Sequence, residues 1–253
     1  MPQSQSVQDA VDHFRQQAWC AKLLDAPGTT TLIPSSRVDR SQDTSGRILS
    51  QDEIFHTALN YDGAVPHILV VYQDYDAPGV PPPPVPPGDA SLGNGKGLRF
   101  PITSVSVLWD IRDHVRGFTG YAHGGFLGAI MDEAMGTFTY TNYQVQATKD
   151  AEAELAGKEW TRAPGVVDMG SGGRSLTAFM NVKFKRPVST PSTIVSTTTL
   201  NRIDGRKMFF DVEIRDGTGA VCTTCEGMWV SESPMSAPLS AVAASTVSAS
   251  SKL

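Results

Sequence analysis

Cysteine is scarce in this chain: Cys20, Cys222 and Cys225 are the only three among 253 residues. So small and odd a count excludes a disulfide framework and predicts reduced thiols in an intracellular compartment. Cys222-Thr-Thr-Cys225 has the spacing of a metal half-site or redox pair, but no second pair exists to complete a zinc site. In a strand, residues three apart point to opposite faces, so the pair reads as structural. His13, His56, His67 and His114 show no usable ligand spacing, and no metal is required. No apolar run is long enough to cross a bilayer, and the first residues lack a signal-peptide core. Asp9 and Asp12 argue against an Arg-rich transit peptide. Positive charge is also in deficit. With 21 Lys and Arg against 26 Asp and Glu, the formal net charge is −5, which argues against a general nucleic-acid binder and leaves room only for a local basic patch. No internal repeat is visible, which argues against a duplicated domain.

The remainder is ordinary for a globular protein, with 40% hydrophobic and 19% charged residues. Val7, Val11, Phe14, Ala18, Leu23 and Leu24 predict an amphipathic helix over 6–24 that stops before Pro27-Gly28. Residues 28–56 are polar and irregular. Ile68 to Tyr72 reads as a strand of unassigned position, and Pro78 to Gly88 as a semi-rigid polyproline connector, with a partner-docking motif as the alternative. After Arg174 the pattern becomes that of strands: Phe210, Val212 and Ile214 alternate with Asp211, Glu213 and Arg215. Asp204-Gly205 and Asp216-Gly217 predict tight turns. One strand over 102–111, a long helix and four further antiparallel strands predict an α+β layout with a sheet wrapped around a central helix. The expected organisation is an extension over 1–99, a domain over 100–232 and a tail over 233–253. Within the domain, 143–173 is a charged, Gly-rich excursion, into which the helix is expected to extend, the remainder being either a lid over a substrate channel or a disordered surface loop. The last three residues, Ser251-Lys252-Leu253, match the peroxisomal import address and predict recognition by the import receptor.

The densest chemistry lies in Gly120 to Glu133. Phe126, Leu127, Ile130, Met131, Ala134, Met135 and Phe138 recur at helical spacing, and Asp132 interrupts that apolar surface. A carboxylate in such a place is costly unless paired or used; the alternative is a partly exposed helix residue beside Glu133. Gly124 and Gly125 let a backbone or ligand approach the helix start, where free N–H groups favour a developing oxyanion. One short segment thus offers both a polarising end and a carboxylate two turns further on.

The His123-Gly124-Gly125 triplet with Asp132 nine positions after the His resembles the hotdog-fold acyl-CoA thioesterases, in particular the branch of the phenylacetate-pathway and human thioesterase superfamily member enzymes. A second block, Leu176 to Pro187 followed by Ile203 to Lys207, supports the resemblance over roughly residues 102–232. It implies a single hotdog domain and a homodimer or dimer of dimers with sites at the subunit interface. It also implies hydrolysis of an acyl-CoA or acyl-carrier thioester, with coenzyme A entering only as part of the substrate. In that reading the Gly125 amide polarises the carbonyl, and Asp132 acts as general base or attacks directly. His123 orients the thioester or is structural, and Thr177 projects from the partner subunit toward the carboxylate or is an ordinary strand residue. Gly124, Asn181, Lys185, Arg186, Arg206 and Lys207 contact substrate, the four cations as coenzyme A phosphate ligands or as solvated strand ends. Two departures stand out. Gly117 sits where some relatives carry an assisting Asn, and the first hundred residues lie outside the resemblance, free to shape the acyl pocket toward an unusual substrate. A hydratase or dehydratase of enoyl or 3-hydroxyacyl thioesters, and a non-catalytic acyl-thioester-binding protein, are the competing readings.

Overall fold

The structure is a computed structural model that describes residues 5–38, 53–74, 97–162 and 165–236. The polyproline run 78–88 and the Ser251-Lys252-Leu253 tail lie outside the described residues. Helix α1 (Val7–Arg15) starts at Ser6, whose Oγ accepts from the Asp9 amide while the Asp9 carboxylate accepts from the Ser6 amide. This reciprocal cap satisfies donors that a helix start otherwise leaves open. A second helix, α2 (Ala18–Leu24), comes next. The single helix expected over 6–24 is therefore broken. Gln17 adopts an extended backbone (φ −105°, ψ 122°), its amide donates to Thr193 Oγ1, and its carbonyl accepts from Trp19 Nε1. A contact 176 residues away overrides local periodicity.

Strands β1 (Thr29–Leu32), β2 (Ile68–Gln73) and β3 (Ser104–Ile111) pair antiparallel in succession. The run at Ile68 shows no alternation because both faces of β2 are covered. Leu69, Val71 and Leu108 pack with Phe14 and Leu24 of the two N-terminal helices. Ile68, Val70, Val107 and Trp109 face the main core. Residues before 100 thus add two strands to the same sheet.

A small hairpin, β4 (Arg116–Phe118) and β5 (Tyr121–Ala122), leads into α3 (Gly124–Leu155). At 32 residues this helix is about 48 Å long, and it absorbs the first part of the segment read as an excursion. The later part of that segment is tied back to the helix: Gln146 donates to Asp168 Oδ1 at 2.7 Å and accepts from the Met169 amide at 2.8 Å. Strands β6 (Ser175–Phe184), β7 (Ser192–Asp204), β8 (Lys207–Asp216) and β9 (Val221–Ser231) complete a sheet of order β1-β2-β3-β7-β8-β9-β6. Phe210, Val212 and Ile214 are buried, as their alternation predicts. Phe138 of α3 packs against Phe100 and Phe210, which seats the helix on the inner face of the sheet. This antiparallel sheet around one long helix is a hotdog domain.

Two local expectations change. The turn after β8 takes its positive φ at Gly219 (82°) instead of Gly217, because Asp216 Oδ1 accepts from the Thr218 and Ala220 amides and organises a longer loop. Cys222 and Cys225 do not diverge to opposite faces. A register shift between Ile214 and Arg215 breaks the alternation opposite them, and both thiols enter the same core. Burial pushes the Cys225 thiol up to about 11, so it stays protonated near neutrality.

Candidate active site

Asp132 lies on α3, half-buried, one residue beyond the fully buried Met131. Thr177 Oγ1 donates to Asp132 Oδ1 at 2.7 Å. A bulge makes this contact possible. In β6, Met180 pairs with Gly227 and Val182 with Cys225, and these inner-face positions are even-numbered. The register shifts between Thr177 and Phe179, so Thr177 pairs with Trp229 and turns to the inner face as well. Without the extra residue Thr177 would point to solvent. The resemblance implies a hydroxyl arriving from a partner subunit; here Thr177 of the same chain holds the carboxylate.

The start of α3 is capped by its own histidine. His123 Nδ1 accepts from the Gly125 amide at 2.9 Å, so a neutral ring carries its proton on Nε2. The amide assigned to a substrate carbonyl already has an acceptor. Gly117 accounts for the missing Asn: a Cβ there would meet His123 Cδ2 at 3.0 Å and Cα at 3.2 Å, so the position is kept bare for the imidazole.

Gly125 and Asp132 of one helix do not form one site. Seven residues of α-helix separate them by about 10 Å, and first-turn N–H groups point out past the helix end, away from Asp132. A water on Asp132 attacks an atom within about 3–3.5 Å, well short of a carbonyl held at Gly125. The predicted substrate contacts divide likewise. Lys207 pairs with Val230 at one end of β9, while the Lys185 and Arg186 amides both donate to the Cys222 carbonyl near the other. Eight strand residues put roughly 27 Å between the two basic pairs, so they do not cluster. Phe184 is beside the helix start, 3.4 Å from a Cβ built on Gly124. Lys185 and Arg186 thus go with the His-Gly-Gly end, and Arg206 and Lys207 with the Asp132 end. Asn181 is on the outer face of β6 with Lys183 and Glu226, behind the sheet from Asp132. The bulge that turns Thr177 inward leaves Asn181 outside.

Beside the Asp132–Thr177 pair runs a groove of about 800 Å³ between α3 and the β6–β9 edge. Gly136, Thr137 and Tyr140 form one wall and Leu176 and Trp229 the other. Gly136 makes room for the indole: a Cβ there would be 3.3 Å from Trp229 Cη2. Met169, from the segment tied to Gln146, and Ser35, from the N-terminal extension, also line it. The extension does reach the pocket. Sequence reasoning missed Trp229 and Thr137, which carry no motif and join the groove only through strand register and helix phase.

Sequence reasoning also missed a cluster that spacing hides. His13 Nε2 is 3.0 Å and His67 Nδ1 3.5 Å from Asp110 Oδ2, and the two imidazoles stack at 3.8 Å. Arg112 donates to the same oxygen at 2.6 Å, so a guanidinium already holds the position a metal would need. Burial pushes the Asp110 carboxyl up, but bonds from His13, His67 and Arg112, with the Arg112 charge, bring it well below the usual range.

The seven-stranded antiparallel sheet and the long helix with its half-buried carboxylate define a hotdog domain. Residues 119–223 match the family model described as Thioesterase superfamily. Over 213 residues the chain is 29% identical to Verlamelin biosynthesis protein B of a Lecanicillium species, spanning 82% of each chain. Over 102 residues it is 26% identical to acyl-coenzyme A thioesterase THEM4 of Bos taurus, spanning 40% of this chain and 30% of that one. A crystal structure of a hypothetical thioesterase with coenzyme A from Streptococcus pneumoniae TIGR4 is 13% identical, covers 53% of this chain and 85% of that chain, and has a TM-score of 0.39.

Proposed function

We propose that this protein hydrolyses an acyl thioester of coenzyme A or a carrier protein, with each active site shared between two copies of the chain. The observation that carries the reading is the Thr177–Asp132 hydrogen bond, whose chain neighbours Leu176 and Glu133 line the groove. It turns one carboxylate oxygen toward the sheet and leaves the other for a water. Asp132 takes a proton from that water as its oxygen attacks the thioester carbonyl carbon. The oxyanion is received at the start of a second copy's α3, where it replaces His123 Nδ1 as acceptor of the Gly125 amide. Collapse of the tetrahedral centre breaks the C–S bond, and Asp132 returns the proton to sulfur, yielding acid and thiol.

The need for a second copy comes from the separation of Gly125 and Asp132. The exposed strand β6 supports it. Among the described residues β6 pairs with β9 alone, and Leu176, Phe179 and Phe184 are 77%, 46% and 57% exposed along it. Apolar side chains along an open edge invite strand pairing. Antiparallel pairing of two β6 edges brings the Phe184 end of one chain to the Thr177 end of the other. Each site then has a His-Gly-Gly start with Lys185 and Arg186 from one copy and Asp132 with Thr177 from its partner. Release of a specialised acyl chain is favoured over general acyl-CoA turnover, because the match to a protein named for biosynthesis runs far beyond the superfamily region.

Thiol release from a panel of short, long, branched and aromatic acyl-CoAs tests the reading. Asp132→Asn is expected to lower kcat by about 10²–10⁴-fold with the melting transition retained. Near-normal turnover in that variant would overturn the role of Asp132.

A further inference from the structure

The exposure of α3 is periodic. Between Met131 and Asn142 the helix is buried except at Asp132, Glu133, Gly136, Thr139 and Tyr140, which are half-buried, and Tyr143 continues the series. Steps of three and four residues put these positions on one face. A helix face in bulk solvent carries charged and polar groups along its length; here the only charges are Asp132 and Glu133, at its start. Every member of the stripe except Asp132 itself lines the groove of about 800 Å³. Beyond Tyr143 the helix emerges into water, with Gln144, Ala147 and Thr148 exposed. The sheet side is joined to the same stripe. Trp229 is the strand partner of Thr177, which bonds Asp132 at 2.7 Å, and Trp229 Cη2 lies 3.3 Å from a Cβ built on Gly136. The groove therefore starts at the candidate base and follows the helix away from it.

We infer that the groove takes an extended acyl chain of roughly nine to fourteen carbons laid along α3, with Gly136 and Thr139 as the residues that set its length; this rests on the hydrolase reading above. Eleven residues separate Asp132 from Tyr143, about 16 Å of helix axis. Helical side chains lean back over the preceding turn, which shortens the usable span to about 11 Å at the least. An extended chain advances roughly 1.2 Å per bond, which gives the stated range. A shorter acyl group leaves part of the groove unfilled. A longer one carries its end past Tyr143 into water and gains no further burial. Gly136 puts no side chain in the path one turn beyond the base, where the indole already occupies the space against the helix. Thr139 is small, and its Oγ1 is turned back to the Met135 carbonyl at 3.0 Å. A bulkier side chain meets the chain about 6 Å from the base at position 136 and about 10 Å from it at 139.

The test measures kcat/KM, by thiol release, for straight saturated acyl-CoAs of roughly four to sixteen carbons with wild type, Gly136→Leu and Thr139→Leu. In wild type kcat/KM is expected to climb by roughly threefold per methylene and to level off within the stated range. Both variants are expected to level off earlier, Gly136→Leu about three to four carbons before Thr139→Leu. The readout is the chain length at which the climb stops, because a folding defect lowers every length alike without moving that point. If Gly136→Leu does not fold, the shift in Thr139→Leu decides. A flat wild-type profile, or variants that level off where wild type does, overturns the inference and leaves the hydrolase standing. If no thioester is turned over, the hydrolase reading fails instead. Calorimetry of the free acids of the same lengths then decides the inference. Affinity that climbs with length in wild type and stops earlier in Thr139→Leu upholds it, and equal affinity at every length ends it.

Discussion

Asp132 owes its position to one hydroxyl. Thr177 is its only protein hydrogen-bond partner given by the structure among the described residues, so the orientation of the base depends on that threonine. Thr177→Ala is expected to lower kcat by roughly 10- to 100-fold with a smaller change in KM, since a misplaced base weakens the chemical step more than binding. Thr177→Ser keeps the donor and is expected to remain within a few-fold of wild type. Steady-state kinetics of both variants would check this, and equal damage from Ala and Ser would mean that packing, not the bond, is what matters. The identity of Asp132 as the candidate base is legible in the sequence, because a lone carboxylate breaking an apolar helical surface is a local pattern. Its partner is legible only through family resemblance, because Thr177 lies 45 residues away and faces inward through a bulge that no propensity announces.

At the level of elements, the N-terminal helices are held to the sheet by a buried charge cluster as well as by Phe14 and Leu24. Asp110 is 3% exposed and takes His13 from α1, His67 beside β2 and its neighbour Arg112. Removing one member of such a network leaves the others unpaired, so Asp110→Asn is expected to cost about 3 kcal/mol in chemical denaturation at neutral pH. The folded carboxyl is held below its ordinary value, so its stabilisation is present in full above the unfolded pKa near 3.9 and is lost as pH falls below it. The gap between wild type and Asp110→Asn should therefore narrow in acid. A constant gap from pH 7 to 2 would contradict the assignment. The alternation of β8, the length of the apolar stripe on α3 and the Asp204-Gly205 turn could all be read from neighbouring residues. The break at Gln17 could not, since it answers to Thr193 on a strand far along the chain.

For the whole molecule, the decisive question is whether a site is shared. Gly125→Pro removes the amide at a helical first-turn position that tolerates proline, and Asp132→Asn removes the base. Each variant alone is expected to be nearly inactive. Refolded together in equal amounts, random pairing makes half the dimers mixed, and each mixed dimer holds one intact site, so about a quarter of wild-type activity should return. Absence of any recovery, with mixed dimers demonstrated by differential tagging, would place the whole site within one chain.

What the sequence determines by itself is what short-range periodicity encodes: a long helix with a buried stripe and one carboxylate, strands with an alternating face, and turns where Asp meets Gly. These arise from repeats of 3.6 and 2 that need no knowledge of distant partners. The tertiary structure alone decides that His123 caps the amide expected to serve substrate. It also decides that the basic pairs stand at opposite ends of a sheet, that a bulge aims Thr177 inward, and that Trp229 and Thr137 share a groove with an N-terminal serine. Each of these depends on strand register or helix phase between residues far apart in sequence, and a one-residue shift in register would reverse it.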